Sequence, residues 1–514
     1  MQVATPATVP TALVGARGGA YGRVVSGERD RVVDLVRAAS MLGVVLGHWL
    51  VADVAWTQAE VHESSVLVEA PELWPLTWLV LVIPLFFFVG GFSNARSWRG
   101  AQGRSEGYAS FVHRRLYRLL APVALFLAVV VPVGMLVQAL GGLGVSLAAV
   151  IVLQPLWFLG VYVLAVAMTP LTLRWHERWG IAVPVVLVAL SVAIDVAEFG
   201  IGWRGVGYLN AVVVWVLVHQ LGYFYADGRW DRRTAGALAV TGWASAIVLA
   251  QSDLLPYSSF MVGVPGVAQG NMHPPTLVVV ALALGAIGAV MLARPALGRL
   301  MRRPAVWRGV IAANLSIMTI YLWHETALVV AARLVLPLAD PDQPTGSALW
   351  WLGHLTWLIA PALVLLVIVI VAGPAERRSV TGSVTPTAVA TASTVAAIVL
   401  LSMGLLALAG SPVTQPFAVA ARLGPLRASV VMGVLLTVSA ALLIRALPRG
   451  DSDLRRTMLL VALALAAAAG LHMWGAGPFP ADAVAAAMLL ACAALPALGC
   501  LVPARSPGSL LSHP

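Results

Sequence analysis

A histidine and an arginine occur eleven positions apart in the first long apolar stretch of the chain, RVVDLVRAASMLGVVLGHWLVADVAW. On a helix of ~3.6 residues per turn, this spacing puts Arg37 and His48 on one face, with Asp34 within about 60° of them. The separation of roughly 16 Å predicts His48 near the middle of a bilayer about 30 Å thick. Ionisable groups at that depth are costly and usually serve a functional site.

An imidazole suits proton abstraction from a hydroxyl, because its ordinary pKa of about 6.5 lies near neutral pH. His48 could instead carry a transferred group briefly, and the sequence leaves both routes open. Arg37 could bind an anionic group or orient the histidine through Asp34. In the structural alternative, Arg37 and Asp34 extend to the interface and His48 hydrogen-bonds a neighbouring helix.

A second polar cluster lies in a later apolar stretch, NLSIMTIYLWHETA. Asn314, Tyr321 and Glu325 fall within roughly 40° of one another on a helical wheel, and His324 flanks them. Counted from Arg308, His324 and Glu325 lie roughly 24 Å along the helix. An acid and an imidazole at that depth predict a substrate or proton site; the alternative is a structural pair with another helix.

Three arginines stand where the third apolar segment begins: Arg114, Arg115 and Arg118. They could bind the phosphates of a cytoplasmic cofactor, since guanidinium groups form paired hydrogen bonds with phosphate. The alternatives are ordinary topology-setting charge and contact with anionic lipid head groups. The preceding segment carries Gly90 and Gly91, which permit a close backbone approach.

Aromatic residues open the fourth segment, where Trp157, Phe158 and Tyr162 could line a cavity or form part of an interfacial aromatic belt. The Gly- and Pro-rich loop 262–277 indicates either a shaped lid or a simple connector.

These residues sit in a chain of 514 residues that is 60% hydrophobic and only 11% charged. A soluble globular protein has about 25% charged residues, so the composition indicates an integral membrane protein. Apolar runs of roughly 17–25 residues favour helices over barrel strands. We therefore predict an all-α, polytopic protein. The candidate spans are 34–56, 76–96, 117–139, 145–171, 181–197, 208–226, 235–251, 276–293, 309–337, 349–372, 388–410, 426–446, 457–475 and 482–502.

Arginine-rich loops alternate with acidic or neutral loops along this series, and the net charge is +10. The positive-inside rule accounts for this charge, so we predict no nucleic-acid partner, and a multi-pass plasma-membrane protein with both termini in the cytoplasm. Cys492 and Cys500 are too far apart on a helix for a disulfide.

The composition of the spans changes near residue 373, after which mid-helix polar groups almost vanish. We expect a disordered cytoplasmic tail over 1–30, a ten-helix domain over 31–372, a cytoplasmic linker over 373–387, a four-helix extension over 388–503 and a cytoplasmic tail over 504–514.

The motifs together resemble the acyltransferase-3 family of bacterial membrane proteins over about residues 31–372. The resemblance rests on Arg37 and His48, and on PLFFFVGGF at 84–92, FVHRRLYRLLAP at 111–122, LWFL at 156–159 and YLWH at 321–324. It implies a ten-helix core that moves an acyl group from a cytoplasmic donor, acyl-CoA, to a hydroxyl of an envelope glycan, lipid or secondary metabolite. It also implies that His48 is the catalytic histidine and Arg37 its essential partner. The family's histidine-x-proline is replaced here by His324, Glu325 and Thr326.

We therefore predict an O-acyltransferase whose partners are acyl-CoA, a hydroxylated acceptor and membrane lipids, with no bound cofactor and no metal. The predicted catalytic residues are His48, Arg37, Asp34, Glu325 and His324, and the predicted donor-binding residues are Arg114, Arg115, Arg118, Trp157 and Tyr321. A transporter of a small solute is the rival function, because buried charged groups in a helical bundle fit transport as well. A scaffold that keeps the fold without the chemistry is a third.

Overall fold

The computed structural model describes residues 29–56, 61–140, 151–264, 267, 270–335, 347–376, 384, 387–415, 421–423, 426–447 and 452–473. Helices dominate this part of the chain, as the all-α prediction requires. Two short antiparallel hairpins accompany them. In the first, β1 (Ala52–Trp56) pairs with β2 (Val61–Ser65), and in the second, β3 (Ala421–Leu423) pairs with β4 (Leu426–Ala428).

The helices are numbered here in chain order. They are α1 Arg31–Val51, α2 Val66–Glu69, α3 Trp74–Val80, α4 Ile83–Gly103, α5 Tyr108–Ala139, α6 Leu156–Trp179, α7 Ala182–Asp195, α8 Asn210–Ala226, α9 Arg232–Gln251, α10 Leu277–Leu300, α11 Pro304–Leu315, α12 Ile317–Val335, α13 Ala348–Trp357, α14 Ile359–Glu376, α15 Ala388–Ala409, α16 Val430–Ala446 and α17 Ser452–Met473.

Ten helical stretches of the described chain are long and apolar enough to cross a bilayer, and the bent pair α11–α12 would make an eleventh. All of these except α15 lie between Arg31 and Glu376, which confirms the predicted ten-helix core. In the predicted extension α15 is long enough to span, whereas α16 and the apolar part of α17 are shorter. The predicted span 482–502, both tails except Arg29 and Asp30, and most of the linker lie outside the described residues.

Successive spans run in opposite directions, so the bundle has two ends. We call the end where α1 begins the arginine side, and the end that carries the loop 252–276 between α9 and α10 the loop side. The carboxylate of Asp30 caps α1 at the arginine side, where it accepts hydrogen bonds from the backbone N–H groups of Val32 and Val33.

The first helix is shorter than predicted. It ends at Val51, where the chain turns into the hairpin β1–β2, whereas the apolar pattern extends to Trp56. His48 therefore lies one turn from the loop-side end of α1 and not at its centre.

The predicted span 309–337 is not one helix, and this prediction was wrong. It breaks at Ser316 into α11 and α12, which meet at a bend of 73°. The backbone N–H groups of Met318 and Thr319 at the new helix start donate to the carboxylate of Glu376, at 3.0 and 2.9 Å. A carboxylate at a helix N-terminus satisfies its unpaired donors and its positive dipole end, which stabilises the break.

The bend separates residues that the helical wheel had grouped. Asn314 stays on α11, where its side-chain amide donates to the backbone carbonyl of Asp34 at 2.9 Å. It therefore belongs to the arginine side, while Tyr321 and Glu325 lie on α12. The grouping of Asn314 with them was wrong because a wheel assumes an unbroken helix.

Helices α4 and α8 pack with their backbones almost in contact. A Cβ atom on Gly91 would lie 1.9 Å from the carbonyl oxygen of His219, and one on Gly222 would lie 2.2 Å from that of Phe88. Only glycine fits at both positions, as the Gly90-Gly91 pair suggested. The contact brings the polar residues of the two helices together.

The C-terminal helices pack against the core. Helix α15 lies along α5 and α6, where Gly160 allows the backbone of Ser402 to come close. Every residue of α16 is buried, and this helix contacts α5, α15 and α17. The extension therefore covers one flank of the ten-helix core.

Candidate active site

His48, His324 and Glu325 form a three-residue contact between α1 and α12. The Nδ1 atom of His48 lies 2.6 Å from Oε1 of Glu325 and 2.8 Å from Nε2 of His324. The side chain of His48 is 41% exposed, whereas that of Glu325 is 6% exposed and that of His324 is fully buried. Two buried groups thus hold one accessible imidazole, which we call the His48 cluster.

The backbone around His324 determines how protons are arranged in this cluster. Nδ1–H of His324 donates to the carbonyl of Tyr321 at 2.5 Å, so its Nε2 is the acceptor. Nδ1–H of His48 then points at both Glu325 and Nε2 of His324. In this tautomer, Nε2 of His48 is the basic nitrogen. The indole N–H of Trp49 also donates to the carbonyl of His324, at 3.1 Å, and ties α1 to α12.

A cavity of about 380 Å³ opens beside the cluster. His48, Tyr321 and Glu325 form part of its wall, and so does Trp157, one of the aromatic residues predicted to line a cavity. Tyr321 is fixed by a 2.6 Å hydrogen bond from its hydroxyl to the carbonyl of Pro155. Since exposed polar groups in an apolar cavity are typical of ligand sites, this cavity is the candidate active site.

Arg37 lies at the other end of α1, half-buried between α1 and α4. Its guanidinium donates to the hydroxyl of Ser93 at 2.6 Å and lies 3.4 Å from the carboxylate of Asp34, which also pairs with Arg29. Eleven residues of helix, roughly 16 Å, separate Arg37 from His48. Asp34 therefore does not orient His48, and the idea that Arg37 acts on His48 through Asp34 was wrong; Glu325 and His324 hold the imidazole instead.

The three arginines of α5 differ in their surroundings. Arg115 donates to the side-chain oxygen of Asn94, and its charge interacts with that of Arg37. Arg114 pairs with Glu106 and Arg118 is exposed. Arg115 contacts Asn94, which follows the Ser93 that accepts a hydrogen bond from Arg37, so these two arginines meet at α4.

Asn94 links this arginine pair to α8. Its side-chain N–H donates to Nε2 of the buried His219 at 3.0 Å, so its oxygen is directed to Arg115. We call Arg37, Ser93, Asn94 and Arg115 the arginine cluster. The close approach of α4 and α8 at Gly91 makes this chain of hydrogen bonds from His219 through Asn94 to Arg115 possible.

A column of aromatic rings joins the two clusters. Tyr162 interacts with Arg115 and stacks on Phe158, with ring centroids 6.0 Å apart. Phe158 meets the edge of Tyr321 at 5.2 Å, and Tyr321 lies 5.8 Å from the ring of His324. Phe158 and Tyr162 thus pack inside the bundle and are not an interfacial belt.

The His48 cluster also has the composition of a metal site, because one ligand atom from each residue lies within 4.8 Å of the others. Two ligands bound to one tetrahedral metal at ~2.0–2.2 Å would lie about 3.3–3.6 Å apart. The 2.6 Å contact between His48 and Glu325 is instead the length of a strong, charge-assisted hydrogen bond. The geometry favours a shared proton over a shared metal.

Residues 30–373 match the family model described as an acyltransferase domain. The chain belongs to the acyltransferase-3 family. It is therefore a multi-pass membrane acyltransferase, and the matched range confirms the resemblance drawn from its motifs. Comparisons with curated proteins and with solved structures gave no match.

Sequence reasoning missed several polar residues in or next to the two clusters and the cavity. Ser93 and Asn94 interrupt an apolar helix, and that polarity was the available signal. His219 carried a similar signal inside α8. His273, which lines the cavity, occurs in the loop 262–277, which was interpreted only as a lid or a connector.

Proposed function

We propose that this acyltransferase transfers an acyl group from acyl-CoA to a hydroxyl of a glycan, a lipid or a secondary metabolite. The observation that carries the proposal is the accessible His48 imidazole, hydrogen-bonded to a buried carboxylate on the wall of a cavity. This arrangement is that of a general base with an orienting group.

In the proposed reaction, Nε2 of His48 takes the proton of the acceptor hydroxyl while its oxygen attacks the thioester carbonyl. The resulting tetrahedral intermediate collapses, the C–S bond breaks, and the coenzyme A thiolate takes the proton back from His48. Glu325 stabilises the imidazolium that exists between the two proton transfers, and His324 keeps Nδ1 of His48 in place.

The arginine cluster is the proposed site for the phosphates of the donor. Arg37 and Arg115 offer guanidinium groups, which bind phosphate oxygens in pairs. Coenzyme A carries its thioester on a long flexible arm, so phosphates held here are compatible with a thioester near His48. Phe158 and Tyr162 would border the arm.

The proposed orientation follows from the donor. Acyl-CoA is a cytoplasmic metabolite, so the arginine side faces the cytoplasm and the loop side faces outward. This assignment agrees with the arginine-rich loops at that end and puts both termini in the cytoplasm of a plasma-membrane protein.

The test uses inverted membrane vesicles from a deletion strain that expresses each variant, supplied with [14C]acetyl-CoA. We expect wild type to form labelled ester. His48→Gln should lower the rate of ester formation at least 100-fold, since general-base catalysis accelerates reactions by roughly 10²–10⁴-fold. His354→Gln is the matched control, because His354 lies beside the end of α1, where its Nε2 contacts the carbonyl of Leu50, and it does not line the cavity. Full activity in His48→Gln would contradict the proposed mechanism.

A further inference from the structure

The loop 252–276 on the loop side is built into the bundle. The buried side chain of Asn271 donates to the carbonyls of Ser258 and Phe260, and it accepts from the hydroxyl of Thr276 at 2.9 Å. These bonds cross the loop and hold residues 258–260 against residues 271–276. Its described part is therefore a shaped element and not a simple connector.

One helix, α3, anchors the loop through two neighbouring residues. The indole N–H of Trp78 in α3 donates to the carbonyl of Ser259 at 2.8 Å, and the backbone N–H of Met261 donates to the hydroxyl of Thr77 at 3.1 Å. Because such hydrogen bonds are costly to break where they are shielded from water, the described part of the loop holds a defined position at the cavity.

Asp195 at the end of α7 fixes both ends of the loop. Its buried carboxylate accepts from the hydroxyl of Tyr257 at 3.0 Å and from the backbone N–H of Leu277 at 2.8 Å. It also accepts from the side chain of Asn210 at 2.8 Å. The start and end of the loop are thus joined through a single carboxylate.

This anchoring places an imidazole in the wall of the cavity that residues of α1 and α12 also line. His273 lines the cavity together with Val262 and Met272 of the same loop. Its ring meets Trp157 edge-to-face, with centroids 4.9 Å apart. The other titratable groups among the described residues that line the cavity are His48, Tyr321 and Glu325.

His273 is a neutral group in this setting. Its ring is exposed to the cavity but surrounded by protein atoms, and this burial, followed by the charge of His48, lowers the pKa of His273 to about 4. At neutral pH the ring therefore has one N–H donor and one nitrogen acceptor. A neutral imidazole can hydrogen-bond a hydroxyl in either direction.

We propose that His273 is a positioning residue for the acceptor: it hydrogen-bonds the acceptor beside the reacting hydroxyl and turns that hydroxyl toward His48. Trp157 packs against the apolar part of the same molecule. The loop side of the cavity is then the acceptor subsite, distinct from the arginine cluster that binds the donor. The inference rests on the proposed function and deepens it by separating the two substrates.

The test measures the ratio of labelled ester formed to coenzyme A released. Inverted vesicles with their own acceptors receive [14C]acetyl-CoA, and labelled ester and free coenzyme A are both measured after subtraction of vesicles that lack the protein. His273→Phe keeps a ring against Trp157 without hydrogen bonds. We expect it to lower the ratio of ester to coenzyme A by roughly threefold to tenfold, which corresponds to the loss of one neutral hydrogen bond. The ratio falls because water then competes better with the acceptor for the thioester.

His273→Gln retains a neutral donor and acceptor, so its ratio should lie closer to wild type than that of His273→Phe. A purely structural role would lower both products in proportion and leave the ratio unchanged, and that result would overturn the inference. An unchanged ester yield in His273→Phe would overturn it too. If wild type forms neither ester nor free coenzyme A, the proposed function itself is wrong, and this result is distinct from the other two.

Discussion

The carboxylate of Glu325 reaches Nδ1 of His48 at 2.6 Å, although the two residues come from opposite ends of the acyltransferase domain. Their contact depends on the bend at Ser316, which directs α12 toward the end of α1. Glu376 stabilises that bend by capping α12. The orientation of the His48 imidazole thus depends on a carboxylate at the end of α14.

Replacement of the orienting carboxylate tests this relationship directly. Glu325→Gln keeps the shape and an acceptor oxygen but removes the charge that stabilises a protonated His48. Hydrogen bonds to charged groups contribute about 1.5–3 kcal/mol, so we expect kcat to fall roughly 10- to 150-fold with little change in the KM for acyl-CoA. Steady-state kinetics in vesicles measures both constants. Glu177→Gln, at an exposed carboxylate on the arginine side, is the control, and an unchanged kcat in Glu325→Gln would contradict the assignment.

Two neighbouring arginines should behave differently toward the donor. Arg115 belongs to the arginine cluster, whereas Arg114 is paired with Glu106. We expect Arg115→Ala to raise the KM for acetyl-CoA roughly 10- to 150-fold, because a charge-assisted contact with phosphate is lost. Arg114→Ala is the matched control and should change the same KM less than threefold. Equal effects of both variants would indicate a general loss of positive charge in place of a defined donor site.

Removal of metal ions should leave transfer unchanged. The short contact between His48 and Glu325 fits a shared proton, so no divalent ion is required between them. We expect equal rates of ester formation in vesicles before and after treatment with EDTA and 1,10-phenanthroline. Loss of activity that added Zn²⁺ restores would show that the three ligand atoms of the His48 cluster bind a metal.

The arginine side contains a carboxylate whose contribution to stability should depend on pH. Burial would raise the pKa of Asp227, but hydrogen bonds from His176 and Arg99 outweigh it and lower the pKa. A group with a lowered pKa in the folded state stabilises the protein above its unfolded-state pKa of about 3.9 and loses this effect as the pH falls further.

Asp227→Asn should therefore lower the melting temperature in detergent at pH 7, and its difference from wild type should shrink below about pH 4. Asp253→Asn, at an exposed position of the loop 252–276, serves as the control and should have no effect at either pH. A difference for Asp227→Asn that is the same at both pH values would show that its charge does not stabilise the fold.

The sequence was sufficient for the membrane spans because they depend on local composition. Each predicted span from 34–56 to 388–410 corresponds to one helical stretch of the described chain or, for 309–337, to the bent pair α11–α12. Two of these stretches, Pro71–Gly103 and Ala348–Glu376, contain two successive α-helices each. Arg37 and His48 do lie on one continuous helix, and Trp157 and Tyr321 do line the cavity. These features follow from residue spacing within a single segment.

The partnerships between segments could not be predicted in the same way. Asp34 was expected to connect Arg37 with His48 because all three share a face of α1. The carboxylate that contacts His48 is instead that of Glu325. The break at Ser316 has no proline or glycine to mark it, and the residue that stabilises it, Glu376, lies at the far end of another helix. Contacts of this kind depend on how the bundle packs, and hydropathy alone carries no information about packing.

Helix α16 is enclosed on every side, although it lies outside the residues that match the family. During synthesis, the flank of α5 that α16 covers remains in contact with the translocon or with lipid until residue 446 has been made. The acyltransferase core therefore completes its packing only after most of the polypeptide has left the ribosome. Shortening the protein to its matched region would leave that flank permanently facing the hydrocarbon phase.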